Sequence, residues 1–134
     1  MPYWRLYYHI VWPTVQREQM ICPEIESKVH EAIKRKAEAL QGEVFAIGGT
    51  EDHVHIAVSI PPTIAISKFV GELKGSSSFY INHLRDNPHN IDWQRGYGIV
   101  SFRKENLEQV VEYILRQREH HKCNNTWPTL ENYD

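Results

Sequence analysis

The chain has 134 residues, of which 41% are hydrophobic and 24% charged, and this length suits one compact domain over residues 1–134. Fifteen Lys and Arg against 17 Asp and Glu give a net charge of −2, which excludes a uniformly basic nucleic-acid coat. A local site remains open, because recognition depends on where the charges lie. The two cysteines, Cys22 and Cys123, lack a paired spacing, and no run approaches ~18 apolar residues. We expect a reduced, cytoplasmic protein without a membrane span.

The first predicted elements are a strand and a helix. Residues 3–12 alternate between two faces and are rich in aromatic and β-branched side chains, which predicts a strand that Pro13 stops. Pro23 can open a helix over residues 24–41, which Gly42 ends. Apolar side chains recur in that helix near helical spacing and predict its buried face: Ile25, Val29, Ala32, Ile33, Ala37 and Leu40.

The next two strands predict a hairpin. The β-type runs 43–48 and 53–60 are separated by residues 49–52, and Gly48 and Gly49 are expected to serve its turn. Pro61 and Pro62 then break the second strand.

The last third of the chain predicts a helix, a strand and a final helix. These elements span residues 66–85, 97–103 and 106–121, and a polar tail covers 124–134. Candidate core positions of the earlier helix are Phe69, Val70, Leu73, Phe79, Tyr80 and Leu84. The apolar stripe of the final helix consists of Leu107, Val110, Val111, Ile114 and Leu115.

The element order β-α-β-β-α-β with one added C-terminal helix predicts an α+β fold. It is the order of the ferredoxin-like (RRM-like) four-stranded antiparallel sheet. Both crossover helices then cover one sheet face. The other face is left for a ligand, a nucleic acid or a second subunit, and the fold alone does not choose among them.

Two histidines share a face of the strand over residues 53–60. Side chains alternate in a strand, so His53 and His55 point away from the apolar set that includes Val54 and Ile56. Their imidazoles lie roughly 6.6 Å apart along the strand, close enough to converge on one cation. Two ligands do not complete a site, and a solvent-facing pair is an equal alternative.

The last helix carries a tyrosine and a glutamine one turn apart. Tyr113 and Gln117 form an i, i+4 pair about 100° round from the apolar stripe, where a phenol would stay available. The Gln117 carbonyl oxygen could reach a hard cation. On helix geometry alone, a boundary tyrosine beside a solvent-facing glutamine is favoured.

Together the two motifs resemble the single-tyrosine HUH transposases of the smallest bacterial and archaeal insertion sequences. The resemblance rests on His53-Val54-His55 and on the run from Tyr113 to Gln117, and it covers nearly the whole chain. Further matching segments are residues 8–12, 58–62, 67–75 and 93–97.

The resemblance implies a metal-dependent transposase that cleaves and rejoins single-stranded DNA at insertion-sequence ends. Tyr113 would be the nucleophile, forming a 5′-phosphotyrosine link, and His53, His55 and Gln117 would bind Mg²⁺ or Mn²⁺. The implied partners are single-stranded DNA with hairpin ends and a second copy of the chain, and no nucleotide cofactor is needed. In such homodimers the tyrosine helix of one subunit can serve the histidine pair of the other.

Basic residues could contact DNA phosphates, although individually most such charges are solvated surface groups. The candidates are Arg5, Lys68, Lys74, Arg95, Arg103 and Arg116. Arg5, Tyr7 and His9 share a strand face and could meet DNA or the metal site, or lie at a dimer seam. His120 and His121 are better explained by a polar helix end than as metal ligands.

Two other functions stay open. One is a non-enzymatic single-strand nucleic-acid-binding module, including a domesticated transposase, with Tyr3, Tyr7 and Tyr97 as stacking platforms. The other is a metal-free sensor that dimerises through the open sheet. Hydrolases with an HxHxH motif are excluded, because Ala57 stands at the third position.

Overall fold

The computed structural model describes residues 4–117, and they form a four-stranded antiparallel sheet with three α-helices. The strands are β1 (Tyr7–Pro13), β2 (Glu43–Thr50), β3 (His53–Ser59) and β4 (Gly98–Phe102). The helices are α1 (Pro23–Ala39), α2 (Ile66–Asn82) and α3 (Leu107–Leu115). The sheet order is β2-β3-β1-β4, so β3 lies between the two strands that α1 connects. The predicted α+β, ferredoxin-like architecture is confirmed.

The main core lies between one sheet face and the helices α1 and α2. Alternation in β1 and β3 places Ile10, Trp12, Val54, Ile56 and Val58 on this face. From the helices it receives Ile25, Val29, Ile33, Phe69, Val70 and Leu73. The buried face expected for α1 is confirmed in Ile25, Val29, Ala32, Ile33 and Ala37.

Strand β1 differs from the prediction at both ends. Residues 4–6 are not part of a strand, and Tyr3 lies outside the described residues. Pro13, expected to stop the strand, is its last residue and pairs with His53 of β3. Strand β4 pairs with β1 only up to Val11, so the missing N–H of Pro13 interrupts no ladder on that side.

The β2–β3 hairpin is tighter than expected. Its turn consists of Glu51 and Asp52, and Gly48 and Gly49 belong to β2 instead. A side chain on Gly48 would overlap the carbonyl oxygen of Ile114 in α3. Gly48 is therefore explained by the approach of a helix and not by a turn.

The exposed side of α2 also corrects the sequence prediction. Phe79 and Tyr80 are 65% and 36% exposed, whereas Ile81 is fully buried. The helical repeat that buries Phe69, Val70 and Leu73 continues to Ser77 and Ile81, and it turns Phe79 and Tyr80 outward.

Helix α3 lies on the opposite sheet face, over β2 and β3. Its buried residues are Val110, Tyr113 and Ile114, whereas Leu115, expected in the apolar stripe, is 64% exposed. The regular helix ends at Leu115, and Arg116 has non-helical dihedral angles. The prediction of an unbroken helix over 106–121 is therefore wrong at Arg116, whereas residues 118–121 and the polar tail 124–134 fall beyond the described residues.

Candidate metal and nucleophile site

Three histidines meet on the sheet face that α3 covers. His53 and His55 lie on β3, and His9 of β1 is paired with Ala57, which places it diagonally from His55. All three side chains are 0–1% exposed. The alternative of a solvent-facing histidine pair is therefore wrong, because α3 closes over this part of the sheet.

The close contact between α3 and β2 determines what lies above the histidines. Gly48 has no side chain, so the backbone of Ile114 approaches β2 directly. Tyr113 and Gln117 then face the sheet, and both are buried. The structure thus brings His53, His55, Tyr113 and Gln117 together within one chain.

The Nδ1 atom of His53 is surrounded by polar groups at the hairpin turn. It lies 2.7 Å from Asp52 Oδ1, 3.0 Å from Thr50 Oγ1 and 3.3 Å from an Arg17 guanidinium nitrogen. Arg17 also forms a 3.1 Å ion pair with Asp52. Burial tends to raise the pKa of Asp52, but hydrogen bonds and charge from His53 and Arg17 outweigh it and hold that pKa well below 3.8. Asp52 is therefore an ionised acceptor for the His53 N–H.

Gln117 is held by the C-terminal end of α3, two residues beyond the last residue of that helix. Its Nε2 donates over 3.1 Å to the backbone carbonyl of Tyr113, which also accepts from the backbone N–H of Arg116 at 3.3 Å. Its Oε1 then faces Nε2 of His53 at 3.5 Å. The two atoms that would be ligands are thus oriented toward each other.

His55 contacts a second histidine. Its Nδ1 lies 2.8 Å from Nε2 of His9, and the two rings stack with centroids 4.9 Å apart. The Nδ1 atoms of His53 and His55 therefore both have polar partners, and Nε2 is the atom that each can offer to a metal.

Tyr113 packs edge-on against the histidine rings. Its ring centroid is 6.0 Å from that of His55 and 6.4 Å from that of His9. The side chain is only 4% exposed, so the expectation of a phenol lying outside the core is wrong. The spacing of apolar residues did not predict the burial of Tyr113, because the buried face of α3 also includes polar groups that contact the histidines.

The donor set fits a divalent cation. Two imidazole nitrogens and one amide oxygen suit Mn²⁺, and the oxygen with waters also suits Mg²⁺. Two donor atoms bound ~2.1 Å from one cation lie roughly 3.0–3.4 Å apart. The 3.5 Å between His53 Nε2 and Gln117 Oε1 is close to that spacing.

Several residues of the site escaped the sequence prediction. Asp52 and Thr50 had a usable signal, since an acid and a hydroxyl immediately precede the His53 strand. For His9, strand alternation indicates the correct sheet face but leaves open a contact with the metal site, a contact with DNA and a place at a dimer seam. No sequence pattern indicated Arg17. It reaches Asp52 through a left-handed turn with φ of 51° at Gln16 and 54° at Arg17, which the sequence does not predict.

The candidate DNA-contact residues differ in their surroundings. Lys74 donates to the carbonyls of Gln94 and Gly96 over 2.7 and 2.8 Å, so it connects α2 to the following loop. Arg103 and Arg116 form surface ion pairs with Glu105 and Glu112. The remaining candidates are exposed: Arg5, Lys68 and Arg95. His120, His121 and Cys123 lie outside the described residues.

Another group of side chains of types that can bind metals lies near the start of α1. Ligand atoms of Cys22, Glu24 and His89 are within 4.8 Å of one another. Glu24 and His89 also form a 3.5 Å pair, in which the Glu24 side chain is 72% exposed. This group contains a thiol and a carboxylate, in contrast to the two imidazoles and amide around Tyr113.

Comparison with known proteins assigns the family. The sequence model described as "Transposase IS200 like" matches residues 2–117. The chain belongs to the IS200-like transposase family. Membership in this transposase family places the protein among DNA-processing enzymes and implies use of a divalent metal.

Individual relatives of this transposase agree with the assignment. The transposase for insertion sequence element IS200 of Salmonella typhimurium is 30% identical over 124 residues, covering 89% of this chain and 81% of the relative. The ISDra2 transposase TnpA of Deinococcus radiodurans is 26% identical over 121 residues, with 87% and 86% covered.

Solved structures agree with the fold of this transposase. A crystal structure of a chain described as a transposase from Deinococcus radiodurans matches with a TM-score of 0.65 and 26% identity, covering 85% of this chain and 92% of that one. A REP-associated tyrosine transposase bound to a REP hairpin matches with a TM-score of 0.65 and 18% identity, with 96% and 81% covered. Among residues 4–117, no helix has the length and apolar character needed to cross a bilayer.

Proposed function

We propose that this transposase cleaves and rejoins single-stranded DNA at insertion-sequence ends in a metal-dependent reaction, with Tyr113 as the nucleophile. The observation that carries the proposal is the convergence of four groups. Tyr113 packs on the His55 ring, while Gln117, one turn further along, faces His53. A tyrosine beside a set of three metal donors is an arrangement suited to covalent phosphoryl transfer, because a bound cation can activate the phosphate that the phenol attacks.

The reaction exchanges one phosphate ester for another. The phenol oxygen of Tyr113 attacks the scissile phosphorus, forming a 5′-phosphotyrosine bond as the bond to the 3′ oxygen breaks. The phenol gives up its proton, and the departing 3′ oxygen takes one up as a free 3′-OH. The ester remains in the phosphotyrosine, so a later 3′-OH can reverse the step without a nucleoside triphosphate.

Each residue of the site has a distinct part. His53, His55 and Gln117 would hold the cation, and a bound cation would supply electrophilic activation of the phosphate. Asp52 orients His53 through the 2.7 Å contact at Nδ1. Packing of Tyr113 against His55 limits the rotation of its ring, which keeps the nucleophile beside the metal donors.

A groove on the same sheet face is the proposed route for the DNA strand. Its volume is about 520 Å³, and its lining includes Trp4, Arg5, Tyr7 and Lys104. Tyr7 and His9 share a face of β1 and are separated by roughly 6.6 Å, so the groove leads toward the site. Cations and aromatic rings are the groups that bind single strands.

We also propose that two copies act together, because joining two DNA ends requires two nucleophiles and one chain provides one such site. Strand β4 is at an edge of the sheet and pairs only with β1 among the described strands. An exposed strand edge can pair with its copy. Light scattering at micromolar concentration should give a dimer mass, and a monomer that still joins DNA ends would contradict this part.

Adduct formation tests the chemistry. The protein is incubated with Mn²⁺ and labelled single-stranded hairpin DNA taken from the flanks of its gene, then separated under denaturing conditions. We expect a denaturant-resistant adduct that is lost in Tyr113→Phe and without metal. Tyr80→Phe, on the remote helix α2, is the matched control and should retain it. An adduct that survives Tyr113→Phe would overturn the nucleophile assignment.

The non-enzymatic alternative gives a different result in the same experiment. A binding module or a domesticated transposase would shift the labelled DNA under native conditions and give no adduct with wild-type protein. That outcome would favour binding without cleavage.

A further inference from the structure

We propose that His9 is a positioning residue. It holds His55 in the tautomer that carries its proton on Nδ1 and leaves the Nε2 lone pair for the metal. The inference rests on the proposed function, because it gives His55 the part of a metal ligand. It adds a residue to the site from a different strand, β1, on which none of the donors lies.

The contact between the two histidines is short and shielded from water. His9 Nε2 and His55 Nδ1 are 2.8 Å apart, and the rings stack with an interplanar angle of 29°. The exposed fractions are 1% and 0%. A buried contact of this length is a hydrogen bond, so one nitrogen carries the proton and the other accepts it.

Only one of the two proton arrangements is compatible with metal binding. If His9 donated from Nε2, neutral His55 would carry its proton on its own Nε2, which could then not coordinate a cation. If His55 donates from Nδ1, its Nε2 presents a lone pair. His9 must therefore be the acceptor in the metal-binding form, with its own proton on Nδ1.

His9 thus has the same relation to His55 that Asp52 has to His53. In each pair an acceptor faces Nδ1 of the ligand, over 2.8 Å in one case and 2.7 Å in the other. Such partners fix the orientation and the tautomer of a ligand histidine. The difference is that one acceptor is a carboxylate and the other a neutral imidazole.

Two substitutions of His9 distinguish the loss of its hydrogen-bond acceptor from the loss of its ring volume. His9→Phe keeps a flat ring against His55 and removes the acceptor, whereas His9→Gln can place an amide oxygen near the position of Nε2. Mn²⁺ dissociation constants are measured by electron paramagnetic resonance without DNA. A His53→Ala/His55→Ala double variant gives the background from other sites.

We expect Mn²⁺ binding about 10- to 100-fold weaker in His9→Phe and recovery of most of the affinity in His9→Gln. A residue that only filled space would give the opposite order, because Phe replaces the ring better than Gln. Equal affinity of His9→Phe and wild type would overturn the proposal, while adduct formation by the wild type would leave the proposed function intact.

The wild-type protein provides a second test that needs no variant. With diamagnetic Zn²⁺ bound, long-range ¹H–¹⁵N spectra of the imidazoles should show His55 protonated at Nδ1 and His9 unprotonated at Nε2. A proton on His55 Nε2 in the loaded protein would overturn the role of His9. Absence of metal binding above the double-variant background would overturn both this inference and the metal-dependent function.

Discussion

Asp52 Oδ1 lies 2.7 Å from Nδ1 of His53, on the side of the ring away from Gln117. The carboxylate is in turn paired with Arg17, and it stays ionised well below its ordinary pKa range because these hydrogen bonds and charges outweigh its burial. The hairpin turn of two residues thus carries an anion that orients the first histidine of the site.

Replacing Asp52 with Asn removes the charge and keeps the shape. We expect Mn²⁺ affinity to fall about 10- to 100-fold, since a neutral amide supports the His53 N–H less well than a carboxylate. Calorimetric titration measures this. The matched control is Asp92→Asn, at an exposed position, which should bind as wild type does. Unchanged affinity in Asp52→Asn would show that the contact does not affect the ligand.

Gly48→Ala tests whether the approach of α3 positions Tyr113. The added methyl group would overlap the Ile114 carbonyl, so the helix must shift away from β2. A displacement of about 1 Å can cost on the order of 10²-fold in rate, and we expect that loss in adduct formation. Gly71→Ala is the control, because nothing lies within 4 Å of its added methyl group. It should stabilise α2 by about 0.5–1 kcal/mol.

Two substitutions of Gln117 distinguish the volume of its side chain from the oxygen atom that it offers to a metal. Gln117→Leu keeps the size and loses the oxygen that faces His53, so single-turnover cleavage with Mn²⁺ should slow by at least about 10-fold. Gln117→Glu retains an oxygen and should keep more of the rate. If Leu and Glu variants were equally slow, the bond from Gln117 to the Tyr113 carbonyl would matter more than the ligand atom.

The orientation of α3 predicts unequal costs for two neighbouring apolar residues. Ile114 is fully buried and Leu115 is 64% exposed. In chemical denaturation, Ile114→Ala should lower the unfolding free energy by about 2–5 kcal/mol, and Leu115→Ala should change it by about 0.5 kcal/mol or less. Similar losses of unfolding free energy in the two variants would mean that α3 turns a different side toward the sheet.

Lys74 predicts a pH dependence of stability. Burial lowers its pKa below 10.5, so the folded protein loses this proton at a lower pH than the unfolded chain. The unfolded state then binds more protons in the window below 10.5, and this contribution to stability rises with pH there. Relative to Lys74→Met, the wild type should gain unfolding free energy as the pH rises toward 10.5, measured by urea titration at a series of pH values. A constant difference would contradict the shift.

The local patterns of the sequence predicted most of the fold. The buried faces of β1, β3 and α1 were identified from strand alternation and from helical spacing of apolar residues. These patterns were sufficient because the side chains concerned pack only into the apolar core between one sheet face and the helices α1 and α2. Alternation also placed His53 and His55 together on the other face. The same method failed for Phe79, Tyr80 and Leu115, which are apolar yet exposed.

What the sequence determined by itself is therefore the order of elements, the main core and the pairing of His53 with His55 on one face. Only the tertiary structure decided that Tyr113 and Gln117 lie on the buried side of α3, that Gly48 admits this helix, and that His9 and Asp52 reach the two histidines. The physical reason is that periodicity records how a segment divides between apolar core and water. A polar site built from two strands, a turn and a helix depends on contacts between distant segments, which no local period encodes.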